Sequence, residues 1–221
     1  MSTWSTPGTV AGFVQSPPNL TLLQFAERER AGRANGRLLD IGCGAARNAL
    51  PLARTGWRVL GTDASRPMLE AAALKGRGEA VSGRLDLAAA TMDALPVGDG
   101  TIDLIVAHGI WNLASSSAQF RRAVREAARA AAAGAGLFLV TFSRATLPAE
   151  ADAVPGEPFV FTQFSGEPQC FLTSGQLVEE LGAAGFIPDA TIPLRELNRP
   201  AGMIRGSGPV IDEGAFRLTP R

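Results

Sequence analysis

Between Arg37 and Phe142 the chain alternates short apolar runs with segments of helical character. This rhythm restricts the possible folds more than any other feature. Arg37-Leu38-Leu39-Asp40-Ile41, Trp57 to Thr62, Leu85 to Ala90, Ile102 to Ala107 and Gly136 to Phe142 read as strands. Leu20 to Ala31, Ala45 to Arg54, Pro67 to Leu74 and Ala118 to Ala132 read as helices, and Ser65 is a candidate cap for the third. Strands separated by helices of roughly ten to fifteen residues imply a parallel sheet with crossover helices. The strands are rich in Leu, Ile and Val without strict alternation, the pattern of a sheet covered on both faces. The alanine-rich stretch around Ala127 to Ala133 suits the last helix, because alanine is the best helix former.

Past Phe142 the rhythm is lost. Pro148, Pro155 and Pro158 punctuate a loop, and Phe159-Val160-Phe161 and Gln169-Cys170-Phe171-Leu172 are placed to pair across Ser165-Gly166 as a hairpin. Thr173 or Ser174 caps a helix that runs to Ala184 and ends at Gly185. Phe186 to Leu194 and Pro209 to Phe216 are candidate final strands. The chain therefore reads as one domain: an N-terminal helix and lid over 1–35, a core over 36–142, and an insertion with the last strands over 143–221.

The 221 residues, 46% of them hydrophobic, supply one sizeable core. Formal charge is zero and no lysine or arginine run stands out, so the electrostatic footprint of a nucleic-acid binder is missing. Met1-Ser2-Thr3-Trp4-Ser5 has neither the basic start nor the apolar run of a signal peptide. The longest apolar stretch, Ala130 to Phe142, is too short to span a bilayer and is broken by glycines. Cys43 and Cys170 lie far apart without a CxxC pair, and His108 is the one histidine, which excludes a multi-histidine metal centre. The expectation is a cytoplasmic protein with no metal, no nucleic-acid partner and no membrane association. Composition leaves the oligomeric state open.

The chemistry gathers after the first strand, at Asp40-Ile41-Gly42-Cys43-Gly44-Ala45-Ala46-Arg47-Asn48. Gly42 and Gly44 lack a Cβ, so the backbone can turn sharply and a ligand can approach closely. A helix start beyond the turn offers free N–H groups to a carboxylate or phosphate. In an open parallel sheet, ligands sit beyond the carboxyl ends of the strands. About twenty residues on, Asp63 closes the second strand, where an acidic side chain can accept from both ribose hydroxyls. Together these features point to an adenosine-containing ligand. A dinucleotide fingerprint wants a glycine where Arg47 stands, so nicotinamide and flavin dinucleotides are disfavoured. The absence of any tyrosine also removes the Tyr-x-x-x-Lys pair of one oxidoreductase class.

The Asp40 to Asn48 segment resembles the first motif of class I S-adenosylmethionine-dependent methyltransferases, and its Arg47-Asn48 pair resembles their tellurite-resistance-like branch. Thr62-Asp63-Ala64-Ser65-Arg66-Pro67-Met68-Leu69 is similar to the second motif. Met92-Asp93-Ala94-Leu95-Pro96-Val97 and Ile102-Asp103-Leu104-Ile105-Val106 are similar to the third and fourth. Arg125 to Val140 resembles the helix, turn and fifth strand that follow. The resemblance implies an α/β, Rossmann-like, seven-stranded, mostly parallel sheet with helices on both faces and an antiparallel last strand. It also implies S-adenosyl-L-methionine as cofactor and methyl transfer to a small-molecule acceptor. The alternative is a protein that binds S-adenosylmethionine or S-adenosylhomocysteine without catalysis.

Residue by residue, the resemblance puts Asp40, Gly42 and Gly44 around the methionine end and Asp63 on the ribose. Ala64 and Met68 would lie near the adenine, Met92 and Asp93 along its edge, and Ala107 and His108 at the border of the site. The chain departs from the family pattern at three places. Ala46 stands for a third glycine, Thr91 stands for an aspartate and leaves the adenine amino contact to Asp93, and Ala133-Gly134-Ala135-Gly136 replaces a Pro-Gly-Gly turn. His108 is either a general base or a wall residue. Arg47 either pairs with the cofactor carboxylate or is a solvated helix-face residue. Trp111 either covers the ligand or packs beneath the helix at Ala118, and Asn112 shares its loop. Phe13, Trp111, Asn112, Phe164 and Arg195 are the candidate substrate-facing residues, on segments outside the core motifs.

Overall fold

The computed structural model describes residues 5–33, 35–77, 81, 83–199 and 208–220. Residues 1–4, read above for a leader, lie outside it. Five strands run in the order expected from the alternation: β1 (Arg37–Ile41), β2 (Arg58–Asp63), β3 (Leu85–Ala89), β4 (Ile102–His108) and β5 (Ala131–Phe142). Around them lie α1 (Pro7–Gln15), α2 (Leu20–Arg30), α3 (Ala49–Arg54), α4 (Arg66–Arg77) and α5 (Ser117–Ala130). The rest comprises β6 (Val160–Phe161), β7 (Gln169–Cys170), α6 (Ser174–Gly182), β8 (Phe186–Pro188), β9 (Arg195–Leu197) and β10 (Ile211–Leu218).

The sheet follows the path β3-β2-β1-β4-β5-β10-β8, with β9 pairing β10 beside that path. β1 to β5 are mutually parallel, and β10 inserts antiparallel between β5 and β8. This is the Rossmann-like sheet the resemblance implies, extended by the short strand β9. Period-two alternation sends neighbouring residues of each strand to opposite faces. Leu39, Ile105, Ala107, Leu137 and Leu139 join one core with Phe120 and Val124 of α5 and Leu177 and Leu181 of α6. Leu38, Leu104, Val106, Phe138 and Val140 join the other with Leu22 and Phe25 of α2 and Leu50 and Leu52 of α3. Two cores explain why the strands carry so little polar alternation.

Four segments differ from the sequence expectation, each for a local reason. α1 forms inside the segment read as a lid, ahead of the one N-terminal helix assigned from sequence. Thr6 caps it, accepting from Thr9 N–H, and Pro7 occupies the first turn, where its missing N–H costs nothing. α3 begins at Ala49 rather than Ala45, because Gly44 and Ala46 take positive φ angles of 53° and 59°. The strand expected over 186–194 breaks after Pro188. There Asp189 accepts from Thr191 N–H at 2.8 Å and pairs with Arg217, and the chain crosses to resume as β9. α5 ends at Ala130, two residues short of Ala132, and β5 takes over at once with a bulge against β4 between Ile102 and Leu104. The hairpin forms as read, with Val160 opposite Cys170 and Phe161 opposite Gln169.

The crossing at 189–194 rests on Gly214. A Cβ there would stand 2.7 Å from the Leu194 Cα and 3.0 Å from its N, a clash with backbone that cannot rotate away. Gly214→Ala is therefore expected to lower stability by about 1–3 kcal/mol, the ordinary cost of forced overpacking. Urea unfolding followed by circular dichroism checks this, and an unchanged midpoint would show that the crossing yields freely.

Candidate active site

The loop between β1 and α3 is bound to its neighbours by backbone bonds. Cys43 N–H donates to Thr62 O at 2.9 Å and Ala46 N–H to Cys43 O at 3.0 Å. Gly44 N–H donates to Asp63 Oδ2 at 2.9 Å, and Ser65 N–H donates to Asp63 Oδ1 at 2.7 Å. The Asp63 carboxylate thus bridges the glycine loop and the start of α4. Each oxygen keeps further accepting capacity toward a ligand. Gly42 has φ 69°, and a Cβ on it would meet the Ile110 side chain at 2.7 Å. At Gly44 a Cβ would come within 3.3 Å of the Phe13 ring. Both glycines serve closeness as well as turning.

This loop forms one wall of a cavity of about 340 Å³, within the range of small-ligand sites. Gly42, Gly44, Asp63 and His108 line it toward β1, β2 and β4. Ala64 and Met68 contribute from α4, Met92 from beyond β3 and Phe13 from α1. α1 closes the space from outside. No residue of α1 is buried, Ser5 Oγ lies 3.1 Å from Ser65 Oγ, and Lys75 Nζ donates to Val14 O at 3.3 Å.

Beneath the loop lies a charged floor. Asp40 is 2% exposed, its Oδ2 has no hydrogen-bond partner among the described residues, and burial pushes its carboxyl up to about 7 against the pull of Arg47. Arg47 Nη2 lies 2.8 Å from His108 Nδ1. A guanidinium only donates, so Nδ1 accepts and the neutral ring carries its proton on Nε2. In that tautomer Nε2 and Asn19 Nδ2, 3.3 Å apart, are both donors and make no bond; the amide donates instead to Glu213 Oε2 at 2.7 Å, and its oxygen accepts from Leu22 N–H at 2.9 Å. Burial, helped by the Arg47 charge, lowers the imidazole to about 4.

Several expected site residues stand elsewhere. Asp93 pairs with Arg122 at 3.3 Å and is not among the residues that line the cavity, whereas Thr91 is. Ala107 is fully buried in the core beneath the site. Trp111 is fully buried too, packed edge-on to Phe120 with ring centroids 6.2 Å apart, and Asn112 is 2% exposed. The two occupy a single 3-10 turn, Trp111–Leu113, which turns them inward and leaves Leu113 to the cavity. Phe164 lies on a separate aromatic group with Phe142 and Phe171. Arg195 is exposed on β9, opposite Glu213 in register. Sequence reasoning missed Ile110, Leu113 and Gln119, which also line the cavity. Gln119 was detectable, because it lies in the first turn of a helix capped by Ser116, just past the β4 loop.

Residues 39–139 match the family model of a methyltransferase domain. No curated protein matches the sequence. An S-adenosylmethionine-dependent methyltransferase from Methanosarcina mazei superposes with a TM-score of 0.66 at 20% identity, over 86% of this chain and 95% of that one. The Burkholderia thailandensis 1,6-didemethyltoxoflavin-N1-methyltransferase, bound to 1,6-didemethyltoxoflavin and S-adenosylhomocysteine, gives 0.67 at 16% identity over 89% and 78%. The [4+2]-cyclase SpnF gives 0.69 at 20% identity over 91% and 82%.

The shift of His108 has a consequence for stability. Its ordinary value is 6.5 and its folded value about 4, so between the two the unfolded chain binds the extra proton. The stabilisation is complete above pH 6.5 and is lost as pH falls through 4. Asp40 shifts in the opposite sense, but it is common to the wild type and a His108→Gln variant. That variant should therefore gain stability relative to wild type as pH falls across this window, in urea melts at stepped pH. Parallel curves would refute the buried neutral imidazole. Residues 39–139 of this chain match the methyltransferase-domain model, and the sheet is that of the class I S-adenosylmethionine-dependent methyltransferase fold.

Proposed function

We propose that this protein transfers the methyl group of S-adenosylmethionine to a small-molecule acceptor. The observation that carries the reading is the convergence of Gly42, Gly44 and Asp63 on one cavity. The fit to this cofactor rests on the chain itself. A Cβ at either glycine would fill space at the wall, Asp40 holds an orphaned buried oxygen behind the loop, and Asp63 presents a carboxylate at the end of β2. Gly42 and Gly44 would receive the methionine end, Asp63 the ribose, and Ala64, Met68 and Met92 the adenine. Such a cofactor brings its own activated methyl group, which leaves the protein binding, orientation and exclusion of water.

His108 serves in this reading as wall and as an anchor for Arg47. Its accepting nitrogen is already engaged, and an imidazole that protonates only near about 4 is a poor base at neutral pH. Arg47 then acts from behind the wall, as a charge that keeps Asp40 from rising further. The acceptor is accordingly one whose nucleophile needs little help in losing a proton. A second reading, cofactor binding without methyl transfer, draws on the same engaged imidazole and on the likeness to SpnF, described as a cyclase. α1 is the lid of the site in either case, and the chain works as one domain in the cytoplasm without nucleic acid.

Asp63→Ala should weaken S-adenosylhomocysteine binding by about 1–3 kcal/mol in calorimetry, with the circular dichroism spectrum of the fold retained. Unchanged affinity would remove the ribose assignment. A screen of small acceptors with methyl-labelled cofactor separates the two readings: label in any acceptor supports transfer. Tight cofactor binding with no label transferred across amine, hydroxyl, thiol and carbon nucleophiles favours the second.

A further inference from the structure

Gln119 reaches the cavity from the first turn of α5, alongside Leu113, Thr91 and Met92. Its Oε1 accepts from Ser115 N–H at 2.9 Å and lies 3.1 Å from Ser115 Oγ. Those donors fix which way the amide points, since reversing it would set an NH₂ group against an N–H. The Nε2 group is left over: among the described residues no acceptor pairs with it. The half-buried side chain therefore offers two oriented N–H donors at a wall whose other polar groups are few. Asp93, expected at this edge, is turned out to Arg122.

We propose that Gln119 reads the purine of the cofactor, donating from Nε2 to one of its ring nitrogens. The inference rests on the cofactor assignment under Proposed function and goes beyond it in naming a donor for the acceptor edge of the base. A purine presents lone pairs in the ring plane at N1, N3 and N7. A donor held in a cavity discriminates because a base lacking the matching acceptor leaves it unpaired. The Ser115 tie holds the amide in place before the ligand arrives, so little rotamer freedom remains to be lost on binding.

The test is calorimetric affinity for S-adenosylhomocysteine and its 1-deaza, 3-deaza and 7-deaza analogues. Gln119→Glu keeps an oxygen for Ser115 and removes the donors. Gln119→Leu removes both. Both variants should bind S-adenosylhomocysteine about tenfold more weakly than wild type, or about 1.4 kcal/mol, with unchanged melting temperature for the glutamate variant. One of the three analogues should bind wild type weakly to a similar degree and lose nothing further in Gln119→Leu. Glutamate-variant affinity within about twofold of wild type would mean that Gln119 only supports the helix start, and would overturn the inference. So would three analogues that all bind wild type like the parent. Wild type that binds no S-adenosylhomocysteine would instead overturn the cofactor assignment, and this inference with it.

Discussion

The bond from Gly44 N–H to the Asp63 carboxylate is the tie on which the geometry of the site depends. It joins the loop after β1 to the end of β2, and it holds that loop in a conformation a free chain avoids. Gly42, Gly44 and Ala46 all lie at positive φ, and for alanine that conformation costs about 1–2 kcal/mol. The cost has a geometric return. Because Ala46 turns the chain, α3 starts late and Asn48 is released from capping it. The Asn48 oxygen accepts instead from Asn19 N–H at 3.0 Å, which sets the start of α2. Asn19 in turn stands between His108 and Glu213. One strained loop thereby positions groups from α2, β4 and β10.

The electrostatics beneath the loop follow from burial more than from pairing. Asp40, Arg47 and His108 occupy a small volume with little water, so each alters the charge its neighbours can hold. The guanidinium favours the carboxylate and opposes protonation of the imidazole, yet desolvation still lifts Asp40 to about 7. Cys43, 5% exposed in the same loop, is pushed well above its usual range, which makes it a packing residue rather than a nucleophile. The floor is thus a set of groups whose charge states are fixed by one another, beneath the glycine wall of the cavity.

Much of the fold could be read directly. The five parallel strands, the helices between them and the late hairpin announce themselves by apolar runs, turn residues and caps. What escaped depended on contacts distant in sequence. The break after Pro188 requires Arg217 to hold Asp189, and the shortened α3 requires a left-handed alanine, which propensity argues against. At the site, Gly42, Gly44 and Asp63 were legible because strand ends and glycine spacing carry their meaning locally. Trp111 and Asn112 were not, since a 3-10 turn decides which side of the loop faces the cavity. Phe164 and Arg195 were chosen for residue type on variable segments, and residue type says nothing of direction.

The place of β10 has a consequence for assembly. Among the described residues it follows every other strand in chain order, yet it lies inside the sheet, bonded to β5 along most of its length and to β8 and β9 on its other side. A chain emerging from the ribosome can pair β1 to β5 early, but the outer flank of β5 must wait. β8 and β9 must wait as well, since β10 is the strand they pair with. A nascent chain therefore exposes an open strand edge, the kind of surface that recruits chaperones or neighbouring chains, until its last hairpin-like closure slots home.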